Sequence, residues 1–534
     1  MDTLSQQTKL GRALSRLLAD YGIDTVFGIP GVHNVELFRG FEETGMRLVL
    51  PRHEQGAGFM ADGYARACGR PAACFVITGP GLTNIMTPIG QAYSDSVPML
   101  VFASTLDVKD IAQAGGRLHE MIDQRGAAAS VAALAATAYA AEECEELVAR
   151  AFTGFATGRP RPAYIELPID VLASEVPANW TARRLPGRPV PNPHDVAEVA
   201  TALTNAERPM LLLGGGAVDA AEPLRRLAET LRAAVATTAA GKGIVEDGAP
   251  LSLGATLTSA ETKAFMKTAD AIVAIGTELS ETDFWDSYAV PPGKTLFRVD
   301  IDPRSLADGN PASLGICADA EAFAEALLAA LPAEGGASRL QADEISALRA
   351  RVVANRGALR RRHAAVLDAV KSALPKDAII ASDMTQIAYS GTEVYGLDEP
   401  RCWLHPSGFG TLGYALPAAI GAQIAEPERA VVALIGDYGF QYTINELGVA
   451  AEHDLPVIIL LWNNDALGQI RDDMVQKQIT PLGTSLKNPN FADIAKAYGC
   501  GYVAPQSLEE VSAAVAAAQT AGGPTIIEVH EDRF

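Results

Sequence analysis

A chain of 534 residues is too long for one ordinary hydrophobic core, and its length and punctuation predict three domains. Its 64 acidic against 43 basic residues give a formal charge of −21, which opposes the phosphate backbone of nucleic acid, and no basic cluster offers a local exception. The amino-terminal stretch MDTLSQQTKLGRALSRLL lacks a long apolar core and no run of eighteen apolar residues occurs, so a cytoplasmic protein that does not engage a membrane is expected.

Short Val/Ile-rich runs alternate with Ala/Leu-rich amphipathic stretches along the whole chain, which predicts an α/β fold of mainly parallel sheets covered by helices. The first block holds FGIPGVHNVELFRG with His33, then Arg52 to Arg66 (RHEQGAGFMADGYAR) with Glu54, then strand candidates at Ala73 to Thr78 and Met99 to Ala103, then RLHE with His119. Taken alone, Glu54 reads as well as a charge favoured at a helix amino terminus as it does as a catalytic carboxylate. The Pro-rich stretch Leu185 to Pro193 resembles an extended linker. A second block follows, with strand candidates at Met210 to Leu213 and Ala271 to Ile275 and a Gly214-Gly215-Gly216 turn. Its Pro292-Gly293-Lys294-Thr295 run contains GKT, but Tyr288 stands where a phosphate-binding loop needs its first glycine, so no ATPase site is expected. Pro/Gly composition at Leu331 to Ala337 marks a second boundary, giving blocks of 1–184, 190–332 and 345–534. Six cysteines without CxxC spacing read as reduced core thiols.

In the third block, Val431 to Ile435 is a buried-strand candidate ending at Gly436-Asp437, Tyr442 to His453 has helical spacing, and Pro456 to Trp462 is a second buried strand ending at Asn463-Asn464. A right-handed crossover of this kind places Asp437 and Asn464 together at the carboxyl edge of one sheet, where open α/β folds bind ligands. One carboxylate and one amide oxygen suit Mg²⁺ shared with phosphate oxygens better than they suit zinc. Either residue by itself reads more readily as a strand terminus or helix cap, and only the pair at this spacing favours the metal.

The segment GDYGFQYTINELGVAAEHDLPVIILLWNN resembles the GDG…NN motif of thiamine-diphosphate enzymes such as acetolactate synthases and 2-oxo acid decarboxylases. The resemblance extends over essentially the whole chain, and it implies a pyrimidine-binding domain, a central Rossmann-like domain and a diphosphate-binding domain in that order. It further implies that Asp437, Asn464 and the carbonyl of Ala466 hold Mg²⁺, with Tyr438 standing where the family has its second glycine and Gly439 following it. Arg52 to Arg66 is similar to the family's glutamate motif, which makes Glu54 the carboxylate that contacts N1′ of the aminopyrimidine and activates the thiazolium ring. GFGTLGYALPAA from Gly408 contains GxGxxG, a weak signal alone. It is similar to the loop under the cofactor, with Leu412 as the bulky residue that imposes the bent conformation and the Gly410 carbonyl accepting from the 4′-amine. SDMTQIAYSG from Ser382 occupies the place of the other diphosphate loop, which implies contacts from Met384, Thr385 and Gln386.

The family also implies an active site shared between subunits, so a homodimer or homotetramer is expected. FGIPGVHNVELFRG, PRHEQGAGFMADGYAR, RLHE and NNDALGQIRDD resemble the branch that decarboxylates 5-guanidino-2-oxopentanoate more than standard acetolactate synthases. Non-oxidative decarboxylation of a small-molecule 2-oxo acid is therefore the leading expectation, with acetolactate synthase-like carboligation as the alternative and a non-catalytic cofactor-binding relative as the third reading. His33 and His119 lie on loops that the resemblance turns toward the cofactor, and each could move a proton near neutral pH. A guanidinium substrate calls for a carboxylate, with Glu120, Asp123, Asp465, Asp472 and Asp473 as candidates. FAD, common in acetolactate synthases, is disfavoured because GTELSETDFWDSY stands where those carry an RFDDR-like motif, although Gly214 to Gly216 could approach a nucleotide.

Overall fold

The computed structural model describes residues 7–285, 290, 294–333 and 335–534. Eight strands form the first unit: β1 (Gln7–Lys9), β2 (Thr25–Gly28), β3 (Arg47–Val49), β4 (Ala72–Val76), β5 (Met99–Thr105), β6 (Leu134–Thr137), β7 (Ala163–Pro168) and β8 (Glu175–Pro177). The central unit holds β9 (Pro209–Leu213), β10 (Ala234–Thr237), β11 (Ser252–Gly254), β12 (Ala271–Ile275), β13 (Thr295–Asp300) and β14 (Leu314–Cys317). The third holds β15 (Ile379–Ser382), β16 (Trp403–Leu404), β17 (Val431–Gly436), β18 (Ile458–Asn463), β19 (Gly501–Val503) and β20 (Thr525–His530).

Three six-stranded sheets result, and every pairing within them is parallel; β1 and β8 form a separate antiparallel pair. The central order β11-β10-β9-β12-β13-β14 is that of a Rossmann sheet. The first and third sheets, β3-β2-β4-β5-β7-β6 and β16-β15-β17-β18-β20-β19, share one order, second-first-third-fourth-sixth-fifth. Strand order therefore reverses between β2 and β4 and between β15 and β17, and a crevice for a ligand opens at such a reversal.

The expected strands are present within a few residues of their predicted ends, and Ala271–Ile275 coincides with β12. Three expectations need correction. The predicted helix Tyr442 to His453 is divided: the helix Asp437–Tyr442 starts directly after β17, a 3₁₀ turn Ile444–Glu446 follows, and the helix Leu447–Glu452 completes the crossover. The division comes at Thr443, whose hydroxyl leaves the helical pattern to donate to the Gly413 carbonyl at 2.8 Å. The boundary set between 332 and 345 falls inside the packing of the central unit, because Leu340, Ile345, Leu348 and Val352 are buried in one apolar cluster with Met210, Leu253 and Ile272. Chain composition marked a loop there but not which sheet the next helix covers. Finally, the six cysteines are unpaired, but Cys317 is exposed rather than core.

In the GKT run, Tyr288, Pro292 and Gly293 lie outside the described residues; Lys294 donates to the Ala269 carbonyl at 2.9 Å and Thr295 opens β13. The triple glycine has a packing reason: a Cβ on Gly214 would stand 2.3 Å from the Gly276 carbonyl oxygen, and one on Gly216 3.0 Å from the Gly276 Cα. Two loops touch backbone to backbone there, which accounts for the glycines without a nucleotide.

The first and third units share a continuous apolar cluster, built where the helix Glu54–Cys68 crosses the helix Ala415–Ala425. The crossing is glycine-dependent: a Cβ on Gly63 would lie 2.0 Å from the Ala418 carbonyl oxygen, and one on Gly421 1.9 Å from that of Met60. Backbone cannot yield as a flexible side chain can. Gly421→Ala should therefore cost about 3 kcal/mol, read as a lowered thermal midpoint.

Candidate active site

The third sheet brings the predicted metal residues to one edge through its register. Gly436 pairs with Trp462, so the next residues along, Asp437 and Asn463, leave β17 and β18 side by side. Asp437 is buried at the first position of its helix, and its carboxylate accepts from the Tyr438 amide at 3.0 Å and from Asn488 Nδ2 at 2.7 Å. Burial pushes the Asp437 carboxyl up, and the Asn488 bond opposes that. The same Asn488 nitrogen lies 3.0 Å from Asn463 Oδ1 and 3.0 Å from Asp465 Oδ1. Three oxygens thus converge on a nitrogen that has only two hydrogens, which marks a place favourable to positive charge.

Asn464 donates its Nδ2 to Glu531 Oε2 at 3.2 Å, which turns its carbonyl oxygen the other way. Ala466 is held by an antiparallel bridge to Ser485, with Leu467 N bonded to the Thr484 carbonyl at 2.9 Å and Leu486 N to the Asp465 carbonyl at 2.8 Å. The backbone around the expected third ligand is therefore fixed by the chain itself.

Across the strand-order reversal, β15 delivers the second loop. Asp383 is fully buried and accepts from the amides of Met384 (2.8 Å), Gly413 (3.2 Å) and Ala415 (3.2 Å). Burial nevertheless pushes its carboxyl up to about 6. Thr385 precedes the helix Gln386–Val394, and its Oγ1 would stand 2.9 Å from a Cβ on Gly436. Gln386 gives its Nε2 to Asp472 Oδ2 at 2.9 Å, while its Oε1 is buried without a partner. A Cβ on Gly468 would meet that Oε1 at 2.5 Å and Asn464 Nδ2 at 2.6 Å. Gly439 sits inside the helix with ordinary backbone and allows a close approach, since a Cβ there would be 3.0 Å from Asp383 Oδ1. Tyr438, the irregular residue of the motif, is half-buried with its ring 5.4 Å from that of Tyr442.

Gly410 and Gly413 take left-handed backbone at φ +68° and +79°, where a side chain would be strained. Leu412 between them is only half-buried, so it is not a core residue, and Met384 lies beside Gly410, its Cε 3.5 Å from where a Cβ would be.

The first unit forms a matching edge. Glu54 opens the helix Glu54–Cys68, is 9% exposed and accepts from Asn84 Nδ2 at 2.9 Å. Asn84 belongs to the helix Pro80–Ser94, whose preceding residue Gly79 packs so closely on the His119 carbonyl that a Cβ would lie 2.5 Å away. His119, at φ +64°, meets His33 edge to face with ring centroids 5.0 Å apart. The Nδ1 of each is buried without a partner. Burial first, and then the neighbouring His119, hold His33 below its usual range. Glu54, His33 and His119 thus share one edge.

The guanidinium candidates are already engaged. Glu120 accepts from the amides of Gly115 (2.9 Å) and Arg117 (3.0 Å), which lowers its carboxyl. Asp123 caps the helix Gln124–Ala129 through Gly126 N at 2.7 Å, and Asp473 takes Gln469 Nε2 at 3.0 Å. Asp465 takes Asn488 and Asp472 takes Gln386.

Sequence reading missed Asn84, Asp383, Glu446 and Asn488. Asp383, inside the predicted loop beside Met384, was the one with a local signal. Glu446, fully buried in the third unit, accepts the Arg52 amide at 3.0 and 3.2 Å and so fixes the approach to Glu54. Burial pushes its carboxyl up to about 7, against the Arg52 bonds and charge. Between the unfolded value near 4.5 and about 7 the folded chain holds a proton that the unfolded chain has released, so this contribution is full below 4.5 and lost as pH rises through 7. Glu446→Gln should remove up to about 3 kcal/mol of that pH dependence. Thermal unfolding at pH 5 and pH 8 checks it: wild type should lose more stability on the rise than the variant does.

The matches to family models cover all three units: the thiamine pyrophosphate enzyme N-terminal TPP binding domain over residues 8–127, the central domain over 196–327 and the C-terminal TPP binding domain over 383–529. The chain belongs to the thiamine pyrophosphate enzyme family. It is 49% identical to "Probable 2-ketoarginine decarboxylase AruI" of Pseudomonas aeruginosa, over 97% of this chain and 93% of that one. Identity to the acetolactate synthase isozyme 1 large subunit of Escherichia coli is 29%, over 96% and 92%. The "X-ray structure of a putative thiamin diphosphate-dependent enzyme isolated from Mycobacterium smegmatis" superposes with a TM-score of 0.84 at 23% identity, over 98% of this chain and 99% of that one, and so supports the fold.

The residues present fit the cofactor of this thiamine pyrophosphate enzyme. The unpartnered Gln386 Oε1, the approaches at Gly436, Gly439 and Gly468, and the oxygens converging at Asp437 make a small-residue cradle beside hard oxygen donors. Among the described residues no group of three His, Cys, Asp or Glu could hold a metal, and no helix is long and apolar enough to cross a membrane.

Proposed function

We propose that this enzyme decarboxylates 2-ketoarginine, 5-guanidino-2-oxopentanoate, to the corresponding aldehyde, using thiamine diphosphate and Mg²⁺. The observation that carries the chemistry is the pair of complementary edges: Asp437, Asn464 and the Ala466 carbonyl for Mg²⁺ and diphosphate on one, Glu54 with His33 and His119 on the other. When bound, the cofactor supplies a carbon nucleophile for the 2-oxo carbon and takes up the electrons released with CO₂. Everything else falls to the chain. Gly410 and Leu412 orient the rings, with Met384, Thr385, Gln386, Tyr438 and Gly439 lining the diphosphate side. Glu54, kept in place by Asn84, holds the proton at the pyrimidine nitrogen. The unpartnered Nδ1 atoms of His33 and His119 are suited to deliver the proton that makes an aldehyde, which favours decarboxylation over acetolactate synthase-like carboligation.

The far end of the Glu54 helix, not Glu54, contacts the Gly410 loop, through Arg66 to the His405 carbonyl at 3.2 Å and Asp62 to Tyr414 at 2.6 Å. Twelve residues of helix separate Glu54 from Arg66, about 18 Å. We infer that a second copy brings its Glu54, and we read the protein as a homodimer or homotetramer with shared sites. Val32, Leu118 and Ile122 on the histidine loops, and Ile470, Val475 and Leu482 beyond Asn464, are exposed in the single chain, as a surface covered by a second copy would be. The reading includes a cytoplasmic location and a small-molecule substrate, with neither nucleic acid nor membrane as partner; FAD is not part of it.

Measuring CO₂ and aldehyde from a panel of 2-oxo acids, with the cofactor and Mg²⁺, tests the assignment. 2-Ketoarginine should give the highest kcat/KM; acetolactate as the sole product, from pyruvate, would overturn it. His33→Ala and His119→Ala should each lower kcat by about 10²-fold while cofactor affinity holds. Undiminished turnover in both variants would remove the histidines from the mechanism.

A further inference from the structure

Asp95 does something that neither the motif nor the metal explains. Its carboxylate accepts from four donors: Gly408 N at 2.7 Å on Oδ1, and Ser407 N at 3.1 Å, Arg66 Nη2 at 2.7 Å and Gln91 Nε2 at 2.6 Å on Oδ2. Gln91, fully buried, accepts on its Oε1 from the Thr411 hydroxyl at 2.9 Å and the Thr411 amide at 3.4 Å. Gly90 lies against the Phe409 ring so closely that a Cβ would stand 2.9 Å from two of its carbons. On the far side, Asp383 holds Gly413 N and Ala415 N. The segment 407–413 is an arch with both feet anchored by carboxylates, one from each unit. Its crown, Gly408 to Gly410, is exposed.

We propose that Asp95, with Gln91, is a positioning device that sets the Gly410–Leu412 arch for the cofactor's pyrimidine half, so that the first unit shapes the cofactor face of the third unit in its own chain. The proposal rests on the cofactor reading above. Asp95 touches neither substrate nor reacting atoms; it acts through the arch. A carboxylate is required because both oxygens face donors, one on Oδ1 and three on Oδ2, and an amide would turn an NH₂ against an N–H donor. The diphosphate side, built on Thr385, Gln386, Asp437 and Gly439, has no bond to Asp95, so the two halves of the cofactor should respond differently.

The test compares two probes by titration calorimetry at saturating Mg²⁺: thiamine diphosphate and inorganic diphosphate. Asp95→Asn should weaken thiamine diphosphate by at least about tenfold and leave inorganic diphosphate within about twofold. Exchange of the bound cofactor's C2 proton, followed by NMR, should slow in parallel. Because Asp95→Asn also strips a partner from the half-buried Arg66 and could unfold the chain, Thr411→Val serves as the second variant; it removes one hydroxyl bond, leaves Arg66–Asp95 intact and should move the same ratio in the same direction. Equal weakening of both probes, or a lowered thermal midpoint with the ratio and exchange unchanged, would overturn the proposal. Failure of the wild type to bind thiamine diphosphate would instead overturn the functional reading.

Discussion

Glu54→Gln is expected to bind thiamine diphosphate and Mg²⁺ nearly as wild type does and to lose about 10³-fold in kcat, with C2 proton exchange of the bound cofactor slowed by a similar factor. Gln is isosteric and can still accept from Asn84, which donates to Glu54 at 2.9 Å, so the start of the helix should keep its shape. What disappears is the carboxylate that can hold a proton at a ring nitrogen in a nearly water-free place, 9% exposed. Low dielectric makes that one bond strong, and a neutral amide cannot replace it. The exchange measurement separates ring activation from every later step. An E54Q protein that exchanges at the wild-type rate would sink the role given to Glu54, whatever its turnover.

The second large effect is at the anchor. Asp437→Ala should lower the Mg²⁺-dependent affinity for thiamine diphosphate by about 10²-fold or more, because it removes the single carboxylate from a donor set otherwise made of an amide oxygen and a main-chain carbonyl. Asp437 is held by Asn488 and Tyr438, whose bonds oppose the rise that burial imposes on its carboxyl, and a cation would stabilise its charge further. Titrating the cofactor at several Mg²⁺ concentrations, before and after chelation, reads the effect. Excess Mg²⁺ should restore part of the affinity in Asn464→Ala and almost none in Asp437→Ala. Retention of cofactor by D437A after chelation, at wild-type strength, would place the metal elsewhere.

Asp437 could be named from sequence because its position follows from local pattern, whereas Glu54 rested on the resemblance of Arg52 to Arg66 to the family's glutamate motif. A Val/Ile run ending in Gly-Asp and another ending in Asn-Asn are strands whose carboxyl ends carry polar residues, and parallel pairing of adjacent strands puts those ends together; the register Gly436↔Trp462 is that pairing. The Gly410–Leu412 loop and the Ser382–Gln386 loop were legible only through the resemblance to the family. Asn488 was not: it reaches Asp437 from 51 positions away, from a loop with no motif of its own. The division of the crossover at Thr443 was hidden too, since it depends on a hydroxyl finding the Gly413 carbonyl, a neighbour 30 residues distant.

The sequence by itself determined the strand and helix alternation, the strand ends that carry Asp437, Asn463 and Asn464, and Glu54 at the head of its helix. Those are properties of periodicity and of residues that cap or terminate elements, and they act over a few positions of chain. Only the tertiary structure decided that the helix Ala342–Ala354 covers the central sheet, that Glu446 fixes the approach to Glu54, and that Asp95 grips a loop from another unit. It also decided which end of the Glu54 helix meets the Gly410 loop, through the Gly63 and Gly421 contacts. Such choices rest on which surfaces fit at close range, and close fit between distant segments leaves no period in the sequence.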